Sequence, residues 1–230
     1  LLKVTIYIFG GDFILSNDVT GGLIWVAAAT ILIASMVAMT KDNLKARLAY
    51  STVSQLSYIV LGAMLASKAG LIGASMHIAM HAFAKITLFF AAGAIFVASH
   101  KNRVSELNGL GRAMPVTFAA FFIGTLSIIG LPPFGGMWSK WYLGLGAVET
   151  AQLLLLAVLM ISSLLNIIYL LPIPIRAFFS KPDNGEHYTE IAEAPKSMLL
   201  AMLVTSTACV ILFFYPDPFY RLAGLAAGGY

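Results

Sequence analysis

Charged residues are scarce in this sequence. Only 10% of its 230 residues are Asp, Glu, Lys or Arg, whereas 60% are hydrophobic. A soluble domain is typically about one quarter charged, so a chain this apolar lacks the polar surface that folding in water requires. The composition therefore excludes a soluble domain and predicts an all-α polytopic membrane protein embedded in a lipid bilayer.

The sequence also lacks the residues of several common functional classes. Its single cysteine, Cys209, lies in an apolar run, which excludes a disulfide framework and a cysteine-based metal site. The basic residues form no continuous stripe, so we expect no nucleic-acid partner. There is no haem or flavin motif, so we expect no cofactor and no redox reaction within this chain.

Apolar runs divide the chain into membrane spans of about 20 residues each. The sequence predicts six transmembrane helices and one truncated helix, at 1–9, 21–40, 48–66, 71–99, 115–147, 151–175 and 197–215. Because residue 1 is Leu and the first nine residues are already apolar, we expect a fragment that begins inside a membrane helix, with no signal peptide. Residues 1–230 are expected to form a single transmembrane domain.

The 115–147 segment contains a predicted break. Residues 130–136 read GLPPFGG, and two prolines and three glycines in seven residues cannot continue a helix. We therefore expect two half-helices joined by an unwound hinge. The hinge residues are Gly130, Pro132, Pro133, Gly135 and Gly136.

Basic residues in the loops predict the orientation of the chain. Loops 41–47, 100–114 and 176–196 carry nine Lys and Arg, whereas the alternate loops and the C-terminal tail carry two. Loops rich in Lys and Arg face the cytoplasm. We therefore expect these three loops on the cytoplasmic side and the C-terminus on the outer face.

Three lysines lie inside apolar segments: Lys3, Lys85 and Lys140. A lysine at the centre of a span costs about 2.5–3.5 kcal/mol on insertion scales, and such residues are usually functional. Lys85 is too far from either end of its span for its side chain to reach the interface. The alternative is a packing lysine bonded to carbonyl groups. Lys3 is either a proton carrier or an interfacial anchor.

Two histidines share a helix face with Lys85. His77, His81 and Lys85 are spaced four apart, so they form one row about 12 Å long. A lone intramembrane histidine is more often a packing residue, but a row of protonatable groups is typical of a proton relay. Zinc could also bind a histidine pair at this spacing. No further ligand lies nearby, so we expect no metal.

Lys140 follows the break, in the first turn of the second half-helix. The N-terminal end of a helix disfavours a positive charge, and a buried lysine can gain and lose a proton. Broken helices near the midplane recur at transporter sites. The alternative is a kink that serves packing only.

Two other helices carry polar stripes, at Ser51, Gln55 and Tyr58 and at Ser162, Asn166 and Tyr169. Such residues can line a hydrated half-channel. They can also join membrane helices by hydrogen bonds, and the sequence leaves both interpretations open.

Several segments together resemble one membrane family. These segments are LLKVTIY near the start, KDNLKARLAYSTVSQLSY at 41–58, HIAMHAFAKITLFF at 77–90, the loop at 106–115 and LSIIGLPPFGGMWSKWYL at 126–143. In this order they resemble the antiporter-like subunits that Mrp cation/proton antiporters share with respiratory complex I. Two departures are Ser57 in place of a glycine and the insertion of Ala46 within the basic pair Lys45 and Arg47.

The resemblance implies a fold of fourteen core helices with two inverted five-helix repeats. This chain would correspond to the eighth to fourteenth helices, which hold the second repeat. Residues 139–143 and 193–195 are most similar to the D-type antiporter-like component of Mrp antiporters, with complex I and membrane-bound hydrogenases as alternatives. The family works in multisubunit complexes, so we expect other membrane subunits as partners in a bacterial or archaeal plasma membrane.

The sequence therefore predicts a proton-translocating subunit of a multisubunit Na⁺/proton antiporter. Lys3 would receive a proton, the row of His77, His81 and Lys85 would pass it on, and Lys140 would release it. A proton-pumping subunit of NADH-quinone oxidoreductase or of a membrane-bound hydrogenase is the alternative. A non-transporting structural subunit and a transporter of an organic solute are hypotheses of other classes. A Na⁺ site is not visible, because the spans contain no carboxylate ligand.

Overall fold

The computed structural model describes residues 2, 4–10, 18–182 and 191–228. These residues contain a π-helical segment (Val4–Phe9), two 3₁₀ turns (Val104–Glu106 and Leu110–Arg112) and α1 (Asp18–Thr40), α2 (Leu44–Met64), α3 (Lys68–Ser99), α4 (Pro115–Ile129), α5 (Gly136–Glu149), α6 (Leu153–Leu170), α7 (Pro172–Phe179), α8 (Lys196–Phe214) and α9 (Asp217–Ala226). Across those ranges there is no β-strand, only an isolated bridge between Asn43 and Arg103. The expected all-α architecture is confirmed.

Four helical stretches are long and apolar enough to cross a membrane: Gly21–Thr40, Lys68–Ser99, Leu153–Phe179 and Lys196–Phe214. The third stretch contains two consecutive helices, α6 and α7. Pro172 begins α7 directly after Leu171. The apolar helix α4 is shorter, at 15 residues.

Capping side chains set the starts of α2 and α3 a few residues before the apolar runs begin. The Asn43 side chain accepts a hydrogen bond from the Ala46 amide, so α2 begins at Leu44 rather than at 48. The Ser67 side chain accepts one from Gly70, so α3 begins at Lys68 rather than at 71. Helix α9 was not expected from the sequence.

Helix α3 lies at the centre of the described structure and packs against α2, α4, α5, α8 and α9. Its approach to α5 is close because glycines lie at the contact. A Cβ atom on Gly73 would lie 2.6 Å from the Leu143 amide nitrogen, so no larger residue fits without a shift. This contact places the histidine face of α3 beside the second half of the broken helix.

The three basic loops meet at one end of the helix bundle. The Leu44 amide donates to the Asn102 carbonyl at 2.8 Å, and the Gly109 amide donates to the Arg176 carbonyl at 3.2 Å. Asp42 accepts hydrogen bonds from the Ser105 amide and hydroxyl at 3.0 and 2.8 Å. Partial burial raises the pKa of Asp42, but these hydrogen bonds and the nearby positive charges of Arg103 and Arg47 together lower the pKa overall.

The C-terminal helix lies at the opposite end. The Ala69 amide at the start of α3 donates to Glu149 at the end of α5, at 3.3 Å. Helix α9 packs against the same region, and the Tyr142 and Tyr220 rings lie 5.4 Å apart. The basic loops and α9 are therefore at opposite ends of the bundle.

Candidate functional site

Helix α3 buries the histidines and Lys85 on one face. His77, His81 and Lys85 are 2%, 7% and 4% exposed. The two imidazole rings are stacked, with centroids 5.7 Å apart and planes 19° apart. The four-residue spacing therefore produces a continuous row of protonatable groups inside the protein.

The Lys85 amine is held by neutral oxygen atoms on α2. It donates to the Ser51 hydroxyl at 2.6 Å and to the Leu48 carbonyl at 3.3 Å. The Ser51 hydroxyl also hydrogen-bonds with the Tyr169 hydroxyl at 2.9 Å, and Tyr169 donates to the side-chain amide oxygen (Oδ1) of Asn166. A chain of hydrogen bonds thus joins α3 to α6 through α2.

Lys140 extends across the helix break. Its amine donates to the Ile129 carbonyl and to the Ser163 hydroxyl, each at 3.0 Å. Ile129 is the last residue of α4, and the final carbonyls of a helix have no partner within it. The carbonyl end of the first half-helix therefore provides an acceptor for the lysine of the second.

Tyr58 lies between the histidine row and Lys140. Its ring stacks on His77 at 5.4 Å between centroids, and the Lys140 amine lies 5.2 Å from the centre of the same ring. Tyr58 is fully buried. One aromatic ring therefore contacts both groups, and an ammonium over its face is stabilised by a cation–π interaction.

The break itself is stabilised by contacts within the protein. Gly130 ends α4 with φ +89°, a conformation that favours glycine. The Gly135 amide donates to the Cys209 carbonyl of α8 at 2.8 Å. Pro132 and Pro133 lie in the non-helical link, and Gly136 is the first residue of α5. Irregular backbone at membrane depth requires such protein contacts or water.

Several buried polar atoms near the row have no hydrogen-bond partner among the described residues. They are both amide atoms of Gln55, Nε2 of His77 and of His81, the Asn166 amide nitrogen and the Thr125 and Ser127 hydroxyls. Buried polar atoms normally bond to protein or to internal water. This interior is therefore suited to holding water molecules.

A cavity of about 590 Å³ borders Lys140 and the break. Its walls are mainly apolar side chains of α5 and α6, and the lining side chains that carry polar groups are Lys140, Trp141 and Ser163. Lys140 therefore faces the histidine row on one side and this cavity on another.

The structure brings together most of the residues that the sequence singles out. His77, His81, Lys85 and Lys140 lie along one buried path, with Tyr58 between them. The other residues of the two polar stripes are fully buried or nearly so. They are Ser51, Gln55, Ser162, Asn166 and Tyr169. Ser162 contacts Ser35 at 3.3 Å rather than a lysine. Lys3 lies outside the described residues.

Two contacts were not predicted from the sequence. Ser163 accepts from Lys140, and the Ser139 hydroxyl lies 2.9 Å from the His77 Nδ1 atom. Ser139 precedes Lys140 and Ser163 follows Ser162, so both are next to residues that the sequence did single out. No group of three or more potential metal ligands is found in the described part of the chain.

The sequence is similar to a family of membrane subunits. A family profile described as NADH:quinone oxidoreductase/Mrp antiporter, TM, matches residues 1–166. A NADH-quinone oxidoreductase subunit N of Desulforudis audaxviator is 40% identical over 205 residues, covering 84% of this chain and 40% of that protein. A subunit L of Mycobacterium tuberculosis is 44% identical over 116 residues, covering 50% of this chain and 18% of that protein.

Solved structures share the fold. The Mrp complex of a Dietzia species has a chain with TM-score 0.82 and 25% identity, covering 90% of this chain and 46% of that one. A chain of an archaeal membrane-bound sulfane sulfur reductase has TM-score 0.83 and 26% identity, and the match covers 92% of this chain and 42% of that one. The chain thus spans less than half the length of these similar proteins.

Proposed function

Since the chain belongs to the NADH:quinone oxidoreductase/Mrp antiporter transmembrane family, we propose that it is part of an antiporter-like subunit that moves protons across a membrane. In this proposal, His77, His81, Lys85 and Lys140 carry the proton, and Lys3 delivers it to them. Six helices cross the membrane, one of them broken at the hinge. Together with the truncated helix expected at the start of the sequence, they correspond to the second half of a fourteen-helix fold.

One observation carries the proposal: three buried protonatable side chains and the half-buried Lys140 form a single path through the bundle. His81 stacks on His77, His77 stacks on Tyr58, and the Lys140 amine lies over the Tyr58 ring. A packing role for two lysines does not require two stacked histidines between them. A proton path requires such groups in sequence, with water between them.

The surroundings of the two lysines are suited to proton exchange. Both amines donate to a backbone carbonyl and a serine hydroxyl, which are neutral acceptors. A carboxylate partner would stabilise the ammonium and hold its proton. Because the acceptors of these two amines are neutral, a positive charge that arrives nearby can displace the proton from the lysine. Two charges about 10 Å apart interact by roughly 1.7 kcal/mol at an effective dielectric constant of 20.

The similar proteins favour one kind of complex. The relatives of D. audaxviator and M. tuberculosis are subunits of NADH-quinone oxidoreductases. We therefore propose a redox-driven complex of that type, with other membrane subunits as partners. A Na⁺/proton antiporter is the second candidate, favoured by the similarity to a chain of the Mrp complex.

The distribution of basic residues supports one orientation. The basic loops lie at one end of the bundle and α9 at the other. We propose that the basic end faces the cytoplasm. Lys140 would then release its proton toward the outer face, where the C-terminus lies.

The experiment is the change Lys85→Ala in the assembled complex, reconstituted into vesicles. We expect proton transport to fall at least tenfold while the complex still assembles, because the buried charge is lost. Lys181→Ala is the matched control, because Lys181 is exposed and lies in a basic loop. Near-normal transport by an assembled Lys85→Ala complex would contradict the proposal and favour a structural subunit.

A further inference from the structure

His77 is held on three sides. Its ring stacks on Tyr58 on one side and on His81 on the other, at 5.4 and 5.7 Å between centroids. Its Nδ1 atom lies 2.9 Å from the Ser139 hydroxyl oxygen. The side chain is 2% exposed. The imidazole therefore has a fixed orientation, and only its Nε2 atom lacks a hydrogen-bond partner among the described residues.

The hydrogen bonds of Ser139 favour one tautomer of His77. The Ser139 hydroxyl donates to the Gly136 carbonyl at 3.1 Å, and a carbonyl can only accept. A serine hydroxyl has a single proton. Once that proton is used at Gly136, the contact between Ser139 and His77 is a hydrogen bond only if His77 Nδ1 donates.

We propose that Ser139 is a positioning residue that holds neutral His77 as the Nδ1–H tautomer and leaves Nε2 as the atom that accepts a proton. When Nε2 takes a proton, the ring becomes an imidazolium with two N–H groups. The Nδ1 proton cannot pass to Ser139 unless the Ser139 hydroxyl leaves Gly136. His77 therefore accepts and releases its proton through the same nitrogen.

This assignment gives His77 a different role from that of a simple relay. A relay histidine takes a proton on one nitrogen and releases it from the other. His77 instead takes up and releases its proton at Nε2 alone, so the proton moves on through the water or side chains that reach this nitrogen. The part concerning proton exchange rests on the proposed function, whereas the tautomer itself does not.

The test measures the tautomer directly. The full-length subunit, labelled with ¹⁵N and ¹³C on histidine, is studied by solid-state NMR in lipid bilayers. The His77 signal is identified by its absence from a His77→Asn sample. We expect about a tenfold excess of the Nδ1–H form, as a net hydrogen bond provides. An excess of the Nε2–H form in the unmodified protein would overturn the proposal.

Three variants separate positioning from general stability. Ser139→Ala should bring the ratio of tautomers close to one, and Ser139→Thr, which restores the hydroxyl, should recover the excess. Ser206→Ala should leave the ratio unchanged, because Ser206 is a buried serine that bonds within α8. An unchanged ratio in Ser139→Ala would overturn the role of Ser139. If Ser139→Ala does not fold, the unmodified protein still decides the tautomer.

Proton transport by the same variants provides a second readout. We expect Ser139→Ala in the assembled complex to slow transport about threefold and Ser139→Thr to recover it. Loss of transport in Lys85→Ala together with an Nε2–H tautomer would reject this inference and leave the proposed function intact. An Nδ1–H tautomer with normal transport in Lys85→Ala would reject the function and leave the tautomer assignment intact.

Discussion

The two lysines of the path differ in what surrounds them. Lys85 is 4% exposed and is enclosed by α2 and α3, with Ser51 and the Leu48 carbonyl as its acceptors. Lys140 contacts Ser163 and borders the cavity beside the break. Lys85 is therefore placed to hold a charge at one end of the described path, and Lys140 is placed to exchange a proton at the other end.

The histidines should be less important for transport than Lys85. We expect His77→Ala and His81→Ala each to slow proton transport severalfold, and less than Lys85→Ala does. Water can occupy the space of one missing imidazole, whereas loss of the lysine removes the charge that couples the sites. The measurement is the rate of pH-gradient formation in vesicles with each assembled variant. A histidine variant more severe than Lys85→Ala would reverse this order.

The spacing of residues in the sequence was sufficient to predict the row of protonatable side chains. It did not predict the serines that form hydrogen bonds with His77 and Lys140. His77, His81 and Lys85 stand out because polar residues are rare in the spans and these three are four residues apart. Ser139 and Ser163 do not stand out, because serines in membrane helices usually join helices. Their contacts depend on how α5 packs against α3 and α6, which no local pattern specifies.

At the scale of helices, a distant carboxylate fixes the start of α4. Pro115 lacks an amide proton, and the next two amides, of Val116 and Thr117, donate to Glu193 at 2.6 and 3.2 Å. Glu193 also accepts from the Thr117 hydroxyl at 2.6 Å. A negative charge at a helix N-terminus is stabilising, so Glu193 anchors the half-helix whose other end binds Lys140.

Removal of this cap should loosen the first turn of α4. We expect Glu193→Ala to destabilise the protein by about 1–2 kcal/mol and to speed hydrogen exchange at the Val116 and Thr117 amides. Glu193→Gln, which keeps the acceptor oxygen, should recover part of the protection. The measurement is hydrogen–deuterium exchange with mass spectrometry. Asp217→Ala, at an exposed acidic residue of α9, is the control. Unchanged exchange in Glu193→Ala would show that α4 starts without this cap.

The sequence predicted some helix features better than others. The GLPPFGG segment indicates a break by composition alone, and the structure has no helix between Ile129 and Gly136. The division after Leu171 was not predicted, because Pro172 is tolerated as the first residue of α7 within a continuous apolar run. Helix α9 lies in a short, mixed segment whose helical pattern is weak.

At the scale of the whole molecule, charged, protonatable and apolar side chains occupy different parts of the bundle. The basic loops lie at one end, α9 at the other, and the protonatable groups lie between them. Apolar side chains such as Leu153, Met160 and Leu164 remain exposed along α6. This distribution fits a chain in a bilayer, and the chain spans less than half the length of the proteins that it resembles.

The most direct test of proton transport through this path is Lys140→Arg. The guanidinium keeps the positive charge but does not lose its proton in proteins. The readout is the rate of pH-gradient formation by the assembled complex in vesicles, with Lys181→Arg as a control of the same chemistry in an exposed loop. We expect Lys140→Arg to transport at least tenfold more slowly than the unmodified complex, and the control to transport normally. Wild-type transport by Lys140→Arg would show that Lys140 supplies only a fixed charge, and would contradict its role as a proton carrier.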